Sequence, residues 1–388
     1  VDLDIATAAP AERVAALFER TVPVGAQFGV IAVVLDGHPY QVATFRREGP
    51  YLDGRRPAYV EHGSALDDVR RRDFTVNALL CDPFTGEIID HVGGRADLAG
   101  RCIRTVGPPA ERFAEDRLRL LRAVRLAAEL QFTLEPSTRE ALADLAPTIV
   151  GVSAERIRDE LVRLLAAAGC ADGVLLMAAT GLLEAVLPEV SALSSQPPPH
   201  ADGPAVNALD HACRVLRCMV PLGPEPAFAA LLCRLPDAET AGEVCRRLRF
   251  SAIERRRAVV LVREFQRLST GGCLSAADAR RLARQGLAAG LLELLRADIE
   301  AAGSDPAVYL RAAGVLAAHA RAASEPDRLI TGDDLIGMGY VPGPVFTVML
   351  RAIEEAQARG EVANAESARA WLRNRFPAGA ARPPVEQA

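Results

Sequence analysis

The sequence predicts an α+β protein: a small mixed head over the first 105 residues, then an all-α neck, body and tail. Three observations predict it. Short apolar or alternating runs broken by Gly, Asp and Pro fill the first hundred residues, the pattern of strands joined by turns. Beyond Pro108-Pro109 the apolar period lengthens to that of a helix. From about residue 165 the chain is dominated by Ala, Leu, Arg and Glu, all good helix formers.

The elements follow in order. Asp2-Leu3-Asp4 opens on a strand, where residues two apart share a side, so Asp2 and Asp4 present two carboxylates together. Gly29–Val34 and Tyr40–Arg46 are strands, and Asp36-Gly37 between them is a hairpin signal. Ile88-Ile89, set between Gly86 and Gly93-Gly94, is a further short strand. Glu111–Leu130 reads as one Arg-rich helix with Leu118, Leu121, Val124 and Ala128 on its apolar stripe. Ser153–Leu165 is a second amphipathic helix, opened by the cap region Ser153-Ala154-Glu155-Arg156. Pro197-Pro198-Pro199 is a stiff break, and Pro377, Pro383 and Pro384 mark a frayed end. These signals divide the chain into a head (1–105), a neck (106–196), a body (197–325), a tail (326–376) and a disordered end (377–388).

Composition excludes several classes. Half of the 388 residues are hydrophobic and 24% are charged, which is globular rather than disordered protein. No apolar run approaches the roughly 20 residues that span a bilayer, and no basic-then-apolar leader opens the chain; a cytoplasmic protein without membrane contact is expected. The count of 45 basic against 50 acidic residues, a net of −5, excludes a uniform basic coat but leaves room for a local basic face. Every basic residue is Arg, so lysine-based catalysis is excluded. The eight Cys contain no C-x-x-C pair and read as buried free thiols rather than zinc ligands or disulfides. His38, His62, His91 and His319 have no partner that the sequence identifies.

A pair of carboxylates two apart on a strand is a donor set for Mg²⁺, a hard cation that prefers oxygen, but Asp-x-Asp alone is also an ordinary solvated strand end. The context changes at residues 71–130. Arg71-Arg72-Asp73-Phe74-Thr75-Val76-Asn77-Ala78-Leu79 is followed by Asp82, Gly86, Asp90, Gly93-Gly94 and Asp97-Leu98, then by Glu115-Asp116-Arg117-Leu118-Arg119-Leu120-Leu121-Arg122-Ala123-Val124-Arg125. With Asp2–Thr7, Phe45-Arg46, Tyr51–Pro57 and Ser153–Leu165, these segments resemble the bacterial class II tRNA nucleotidyltransferases, which include the CCA-adding enzymes and the related poly(A) polymerases. The resemblance runs nearly continuously to about residue 165.

That resemblance implies a nucleotidyltransferase head of the DNA polymerase beta superfamily and the addition of C and A to the 3′ end of tRNA from CTP and ATP. Asp2 and Asp4 would hold two Mg²⁺ ions. Arg71, Arg72 and Asp73 would contact ribose and phosphate, with Asn77 as their structural neighbour. Asp116 and Arg119, three apart on a helix and so on one face, would template the incoming base. Cytosine and adenine each present an amino donor beside a ring-nitrogen acceptor, which a carboxylate and a guanidinium complement; guanine and uracil reverse the pattern. The bland reading of the two is a surface ion pair contributing about 0.3–0.5 kcal/mol. Arg122 and Arg125 would reach triphosphate or RNA backbone. Glu155, Arg156 and Glu160 match a neck motif that braces the template helix.

The chain departs from the family in three places. It starts inside the metal-binding strand, so the family's upstream strand and Gly-Gly…Arg-Asp triphosphate loop have no counterpart in it: it reads as N-terminally truncated. Gln41 stands where the family has a third carboxylate, with Glu48 as a substitute from the opposite strand face. The body resembles relatives with a His-Asp phosphohydrolase motif, but Cys233 and Arg234 stand at the His and Asp positions, leaving His200 and His211, a poor metal cage. A structural, tRNA-binding body is expected, and the C-terminal Thr331–Ile336, Pro342-Gly343-Pro344 and Glu355-Ala356-Gln357 resemble a tRNA-elbow or packing tail. Arg clusters at 246–257 and 280–284 are candidate RNA contacts or solvated helix faces. Poly(A) polymerase or A-only addition, and a tRNA-binding remnant without turnover, stay open beside CCA addition; the segment Arg47–Pro57, shortened in CC-only members, argues for adding C and A together.

Overall fold

The computed structural model describes residues 4–25, 29–51, 57–199, 205–220, 223–323, 329–358, 361–362 and 364–376. Asp2, His200 and the end 377–388 lie outside the described residues. Two compact units emerge, residues 1–274 with 285–313, and residues 275–284 with 314–388.

The first unit opens with β1 (Asp4–Thr7), α1 (Ala11–Leu17), β2 (Thr21–Gly25), β3 (Val30–Leu35) and β4 (His38–Thr44). The sheet order is β1-β4-β3-β2, with β1 parallel to β4 and the other pairs antiparallel. Asp36 and Gly37 take φ values of 49° and 80°, the two left-handed residues that a tight two-residue hairpin requires. Ala11 and Val14 of α1 pack on Ile31, Val33 and Val42. Strand alternation puts Gln41 on the opposite face, and Asp4 is its register partner in the parallel pair.

The expected strand Tyr40–Arg46 is in fact broken. β4 ends at Thr44, Phe45 N donates to Thr7 O at 2.8 Å, and β5 (Arg46–Glu48) turns away to pair with β6 (Val60–His62). Then follow α2 (Ala65–Arg70), β7 (Leu80–Cys81), β8 (Ile88–Ile89), α3 (Gly94–Ala99) and β9 (Cys102–Ile103). Ser64 and Asp67 form a reciprocal capping box that starts α2, satisfying donors the first turn would leave open.

The neck comprises α4 (Pro109–Glu115), α5 (Leu118–Leu130), β10 (Thr133–Leu134), α6 (Pro136–Leu145), α7 (Ala154–Ala166), α8 (Cys170–Ala179), α9 (Leu182–Val186) and α10 (Pro188–Ser191). The single helix expected over Glu111–Leu130 is therefore two. Asp116 is extended at φ −143° and ψ 106°, and its carboxylate accepts from Leu118 N at 3.1 Å. An aspartate that satisfies an open N–H at a helix start competes with continuing the previous helix. α5 is the neck's buried axis: Leu120, Leu121, Ala123 and Val124 are fully enclosed. Gly169 lets the start of α8 close on it, since a Cβ there would lie 2.6 Å from Ala128 O.

Glu135 caps α6, accepting from Thr138 N at 2.8 Å and from the Ser137 hydroxyl at 2.7 Å. Partial burial pulls its carboxyl upward, but the bonds from Ser137 and Thr138 outweigh it and hold the pKa at about 2, against an ordinary 4.5. A depressed carboxylate stabilises the fold above its unfolded pKa and loses that contribution as pH falls through the folded one. Glu135→Gln is therefore expected to flatten the acid limb of a urea-stability profile between about pH 4.5 and 2, where the parent falls more steeply.

The helical body contains α11 (Ala208–Cys218), α12 (Pro224–Leu232), α13 (Ala238–Arg247) and α14 (Ala252–Ser269); α15 (Ala276–Arg284) belongs to the second unit, and α16 (Ala288–Ala302) returns to the first. Buried His211 lies 2.7 Å through Nε2 from Asp298 Oδ1. The Arg234 guanidinium bonds the same Asp298 oxygen, stands 3.2 Å from His211 Nε2 and lies over the Phe265 ring. An arginine thus supplies the positive charge that a buried carboxylate requires. Cys233 is buried beside it.

The second unit, entered within α17 (Ala307–Ala323), holds α18 (Gly332–Gly337), α19 (Pro344–Ala358) and α20 (Ala365–Arg375). Leu335, Met349, Ile353, Ala356, Ala368 and Leu372 form its own core. No helix among the described residues is long and apolar enough to cross a membrane.

Candidate functional site

The segment Arg71–Asn77 is clamped on both sides. Thr75 N donates to Arg104 O and Val106 N to Asp73 O, at 2.9 and 3.0 Å. Thr75 Oγ1 donates to Asp97 Oδ2 at 2.6 Å, and Asp97 also meets Arg104 Nε at 3.2 Å. α3 can press against this turn only because Gly94 has no side chain: a Cβ there would stand 2.2 Å from Thr75 O. Asp90 fixes the approach by accepting from the N–H groups of Val92, Gly93, Gly94 and Arg95.

On that frame the polar side chains form a connected set. Buried Asp68 receives Arg71 through Nε and Nη2 at 2.9 and 2.7 Å and Arg72 through Nη2 at 3.4 Å. Arg72 Nη1 also donates to Asn77 O at 2.7 Å. Glu48 holds Arg46 at 2.8 Å and Arg71 at 3.5 Å and accepts from the Tyr51 hydroxyl. Burial and that hydrogen bond push the Tyr51 phenol well up. Glu48, the suggested substitute for a third metal carboxylate, is thus committed to two arginines and a tyrosine. The 47–57 segment is described apart from residues 52–56, which lie outside the described residues.

Asp73 is nearly buried. Burial pushes its carboxyl up, but the Arg122 guanidinium at 2.6 Å, the Phe74 N–H and the Asn77 amide outweigh that and hold it below the usual range. Arg125 turns inward, buried between Glu160 at 2.5 Å and Glu129 at 2.6 Å, a bracing position that faces away from solvent.

Asp116 and Arg119 do not share a helix face as the spacing suggested, because Asp116 precedes α5 in extended backbone. Their side chains are held by different partners. Arg156 of α7 grips Asp116 at 2.7 Å (Nη2 to Oδ2) and 3.3 Å (Nη1 to Oδ1). Arg119 Nη1 reaches Glu115 Oε2 at 2.5 Å and Arg112 O at 3.0 Å, and its Nη2 reaches Arg71 O at 3.2 Å. The surface ion pair between the two does not form. Of the five N–H donors on Arg119, these contacts take three, and Asp116 keeps lone pairs beyond those used by Arg156 and Leu118 N. An acceptor and a donor group are therefore each fixed in direction while retaining capacity to bond a third party.

Asp4 and Gln41 stand side by side on the sheet face opposite α1. A carboxylate and an amide oxygen are hard donors of the kind Mg²⁺ takes. Among the described residues no cluster of three or more His, Cys, Asp or Glu is placed to hold a metal.

Sequence reasoning missed Asp68, the anchor of both arginines, although it lies three and four residues before them, a spacing at which helical side chains meet. Asp68→Ala leaves two arginines without their buried carboxylate and is expected to cost about 3–5 kcal/mol, seen as a lowered urea midpoint at unchanged m-value.

Two family models and several known proteins match this chain. Residues 1–104 match the family model for the poly A polymerase head domain, and residues 131–193 match that for the probable RNA and SrmB-binding site of polymerase A. The chain is 44% identical over 186 residues to the CCA-adding enzyme of Lactobacillus johnsonii, covering 48% of this chain and 46% of that protein. It is also 44% identical over 196 residues to the CCA-adding enzyme of Geobacillus stearothermophilus, covering 50% and 48%. It spans about half the length of the curated relatives it matches. The crystal structure of the Bacillus stearothermophilus CCA-adding enzyme in complex with CTP is similar over 97% of this chain and 88% of that one, with a TM-score of 0.63 and 28% identity. A tRNA nucleotidyltransferase solved with a primer tRNA and an incoming ATP analog shares the fold, with a TM-score of 0.59 at 18% identity, over 82% of this chain and 90% of that one.

Proposed function

We propose, for a chain that belongs to the class II tRNA nucleotidyltransferase and poly(A) polymerase family, template-independent addition of C and A to the 3′ end of tRNA from CTP and ATP. The 3′-hydroxyl oxygen attacks the α-phosphorus in line, the bond to the bridging oxygen breaks, and pyrophosphate leaves. Asp2 and Asp4 would hold Mg²⁺, which when bound eases ionisation of the hydroxyl and neutralises the triphosphate.

The observation that carries this reading is the separate fixing of Asp116 and Arg119. Asp116, gripped by Arg156, accepts from the amino group of cytosine or adenine, and Arg119, tied to Glu115, Arg112 O and Arg71 O, donates to the ring nitrogen. Because neither neutralises the other, both remain directional, and no reorganisation is needed when the base arrives. Arg71, Arg72 and Arg122, positioned by Asp68 and Asp73, favour the ribose and phosphates of the same nucleotide, with Asn77 bracing Asp73.

The test is incubation of the 388-residue chain with Mg²⁺, labelled CTP or ATP, and tRNA lacking CCA, ending in C-C, or complete. Growth that stops at C-C-A is the expected result. Long A tails would replace this reading with poly(A) synthesis, and tRNA binding without incorporation would replace it with a non-catalytic binding protein.

A further inference from the structure

The two faces of the β5–β6 hairpin have different surroundings. Residues directly opposite in an antiparallel pair share a side, and sides alternate along each strand. Arg46 pairs with His62 and Glu48 with Val60, whereas Arg47 pairs with Glu61. The first face turns to the nucleotide site: Glu48 holds Arg46 at 2.8 Å and Arg71 at 3.5 Å. The second face carries Arg47, Glu61 and, one pair further out, Gly49 and Tyr59, joined by the bond from Gly49 N to Tyr59 O at 2.9 Å. The side chains of Arg47, Glu61 and Tyr59 are all exposed.

Tyr59 is held there as a flat shelf. A Cβ placed on Gly49 would lie 2.7–2.8 Å from three atoms of the Tyr59 ring, Cε1, Cδ1 and Cζ, so one face of the ring rests on glycine backbone that any side chain at this position would displace. The residue nevertheless keeps 53% of its surface exposed, which leaves the other face open. Tyr51 on the same hairpin has its hydroxyl committed to Glu48; Tyr59 is supported without being enclosed. A ring already fixed on one side loses little further freedom when its open face is covered. Arg47 stands beside it, tied to Glu61 at 2.9 Å through Nη2 and with N–H donors to spare.

An open aromatic face next to a guanidinium suits a nucleobase and its phosphate, the combination that holds single strands. Bases inside a duplex already have both faces covered, so the ligand is an unpaired base. The incoming nucleotide does not supply it. Arg71 and Arg119, proposed to contact that nucleotide, lie on the Glu48 side of the hairpin, and Tyr59 faces the other way. What remains is the acceptor strand, whose 3′ end has to reach Asp4 on β1. The hairpin leaves the sheet after Thr44, which pairs with Thr7, the last residue of that strand.

We infer that Tyr59, resting on Gly49 and flanked by Arg47, stacks an unpaired base near the 3′ end of the acceptor RNA; this rests on the proposed tRNA-directed activity. The test uses the full chain and an RNA hairpin that has the acceptor stem of a tRNA and an unpaired 3′ tail, with 2-aminopurine at each tail position in turn. Binding is expected to quench the fluorophore at one tail position in the parent and in Tyr59→Phe. In Tyr59→Ala the quenching is lost, and the RNA binds about 5–150-fold more weakly. Gly49→Ala, whose new methyl lifts the ring, loses affinity in the same direction. For Tyr59→Ala the loss appears in KM for RNA, while kcat at saturating RNA and KM for CTP stay at the parent's values. Phe84→Ala is the control: Phe84 is 97% exposed on the turn between β7 and β8, and its removal leaves the affinity unchanged. Parent-like affinity in Tyr59→Ala, an equal loss in Phe84→Ala, or no quenching at any tail position in the parent overturns the inference. So does a Tyr59→Phe variant as weak as Tyr59→Ala. The parent separates the two claims: Tyr59-dependent quenching without nucleotide incorporation sinks the activity and leaves the stacking site, whereas incorporation whose KM for RNA is indifferent to Tyr59→Ala sinks the stacking site alone. A parent that binds no RNA overturns both. Thermal melts of Tyr59→Ala and Phe84→Ala, expected to coincide with the parent because both side chains are exposed, exclude misfolding.

Discussion

Asp4→Asn is expected to lower nucleotide incorporation by on the order of 10³-fold while leaving CTP and tRNA affinity near the parent's values. The substitution keeps the shape of the side chain and its place in β1, so the parallel pairing with β4 survives. What it removes is the formal charge proposed to hold Mg²⁺, and several kcal/mol of charge stabilisation at about 1.4 kcal/mol per decade gives that factor. The neighbour sharpens the test. Gln41 is Asp4's register partner, and Gln41→Glu adds a second carboxylate beside it. Without metal, two like charges opposed across a sheet cost about 0.2–1 kcal/mol, so the variant should melt below the parent in chelator. With Mg²⁺ the deficit should close, and the Mg²⁺ concentration for half-maximal incorporation should fall. A variant that melts equally with and without Mg²⁺ would show that this strand pair is not the metal position.

The contrast between what the residues announced and what they hid follows the range of each interaction. The Asp36-Gly37 turn and the strands beside it were legible because two left-handed residues and a period of two are local properties. The start of α7 was legible for the same reason, from the Ser153-Ala154-Glu155-Arg156 cap region. The break at Asp116 was not: the apolar period runs through it from Phe113 to Leu118 and Leu121, all buried, and masks the helix stop. Partners distant in sequence were hidden from spacing, although the resemblance of the neck motif set Arg156 and Glu160 against the template helix. Arg156 lies 40 residues from Asp116 and Arg71 lies 48 from Arg119, and no spacing rule connects either pair. The substitution at Arg234 was visible as the loss of an acid, but not as the gain of a cation for Asp298, 64 residues away.

Asp116 and Arg119 carry the second large effect, on selectivity rather than on rate alone. In Asp116→Asn the amide has one acceptor oxygen and one donor nitrogen. Arg156 already presents donors to this side chain at 2.7 and 3.3 Å. Whichever way the amide turns, its nitrogen faces a donor, either the Arg156 guanidinium or the amino group of the incoming base. A charged hydrogen bond worth about 1.5–3 kcal/mol is lost, so kcat/KM for CTP and for ATP should fall by about 10–150-fold. UTP and GTP, whose pairing edges never matched, have less to lose, and the ratio of correct to incorrect incorporation should fall with the same factor. Arg119→Lys keeps the charge but replaces a fixed fork with a single flexible ammonium, and it should relax discrimination in the same direction. Arg156→Met distinguishes templating from bracing. It frees Asp116 without changing what that carboxylate accepts, so both correct nucleotides should slow while their preference over UTP and GTP persists. If Asp116→Asn and Arg119→Lys slow all four nucleotides equally, as Arg156→Met should, the two residues only hold the junction between α4 and α5, and the choice of base is made elsewhere.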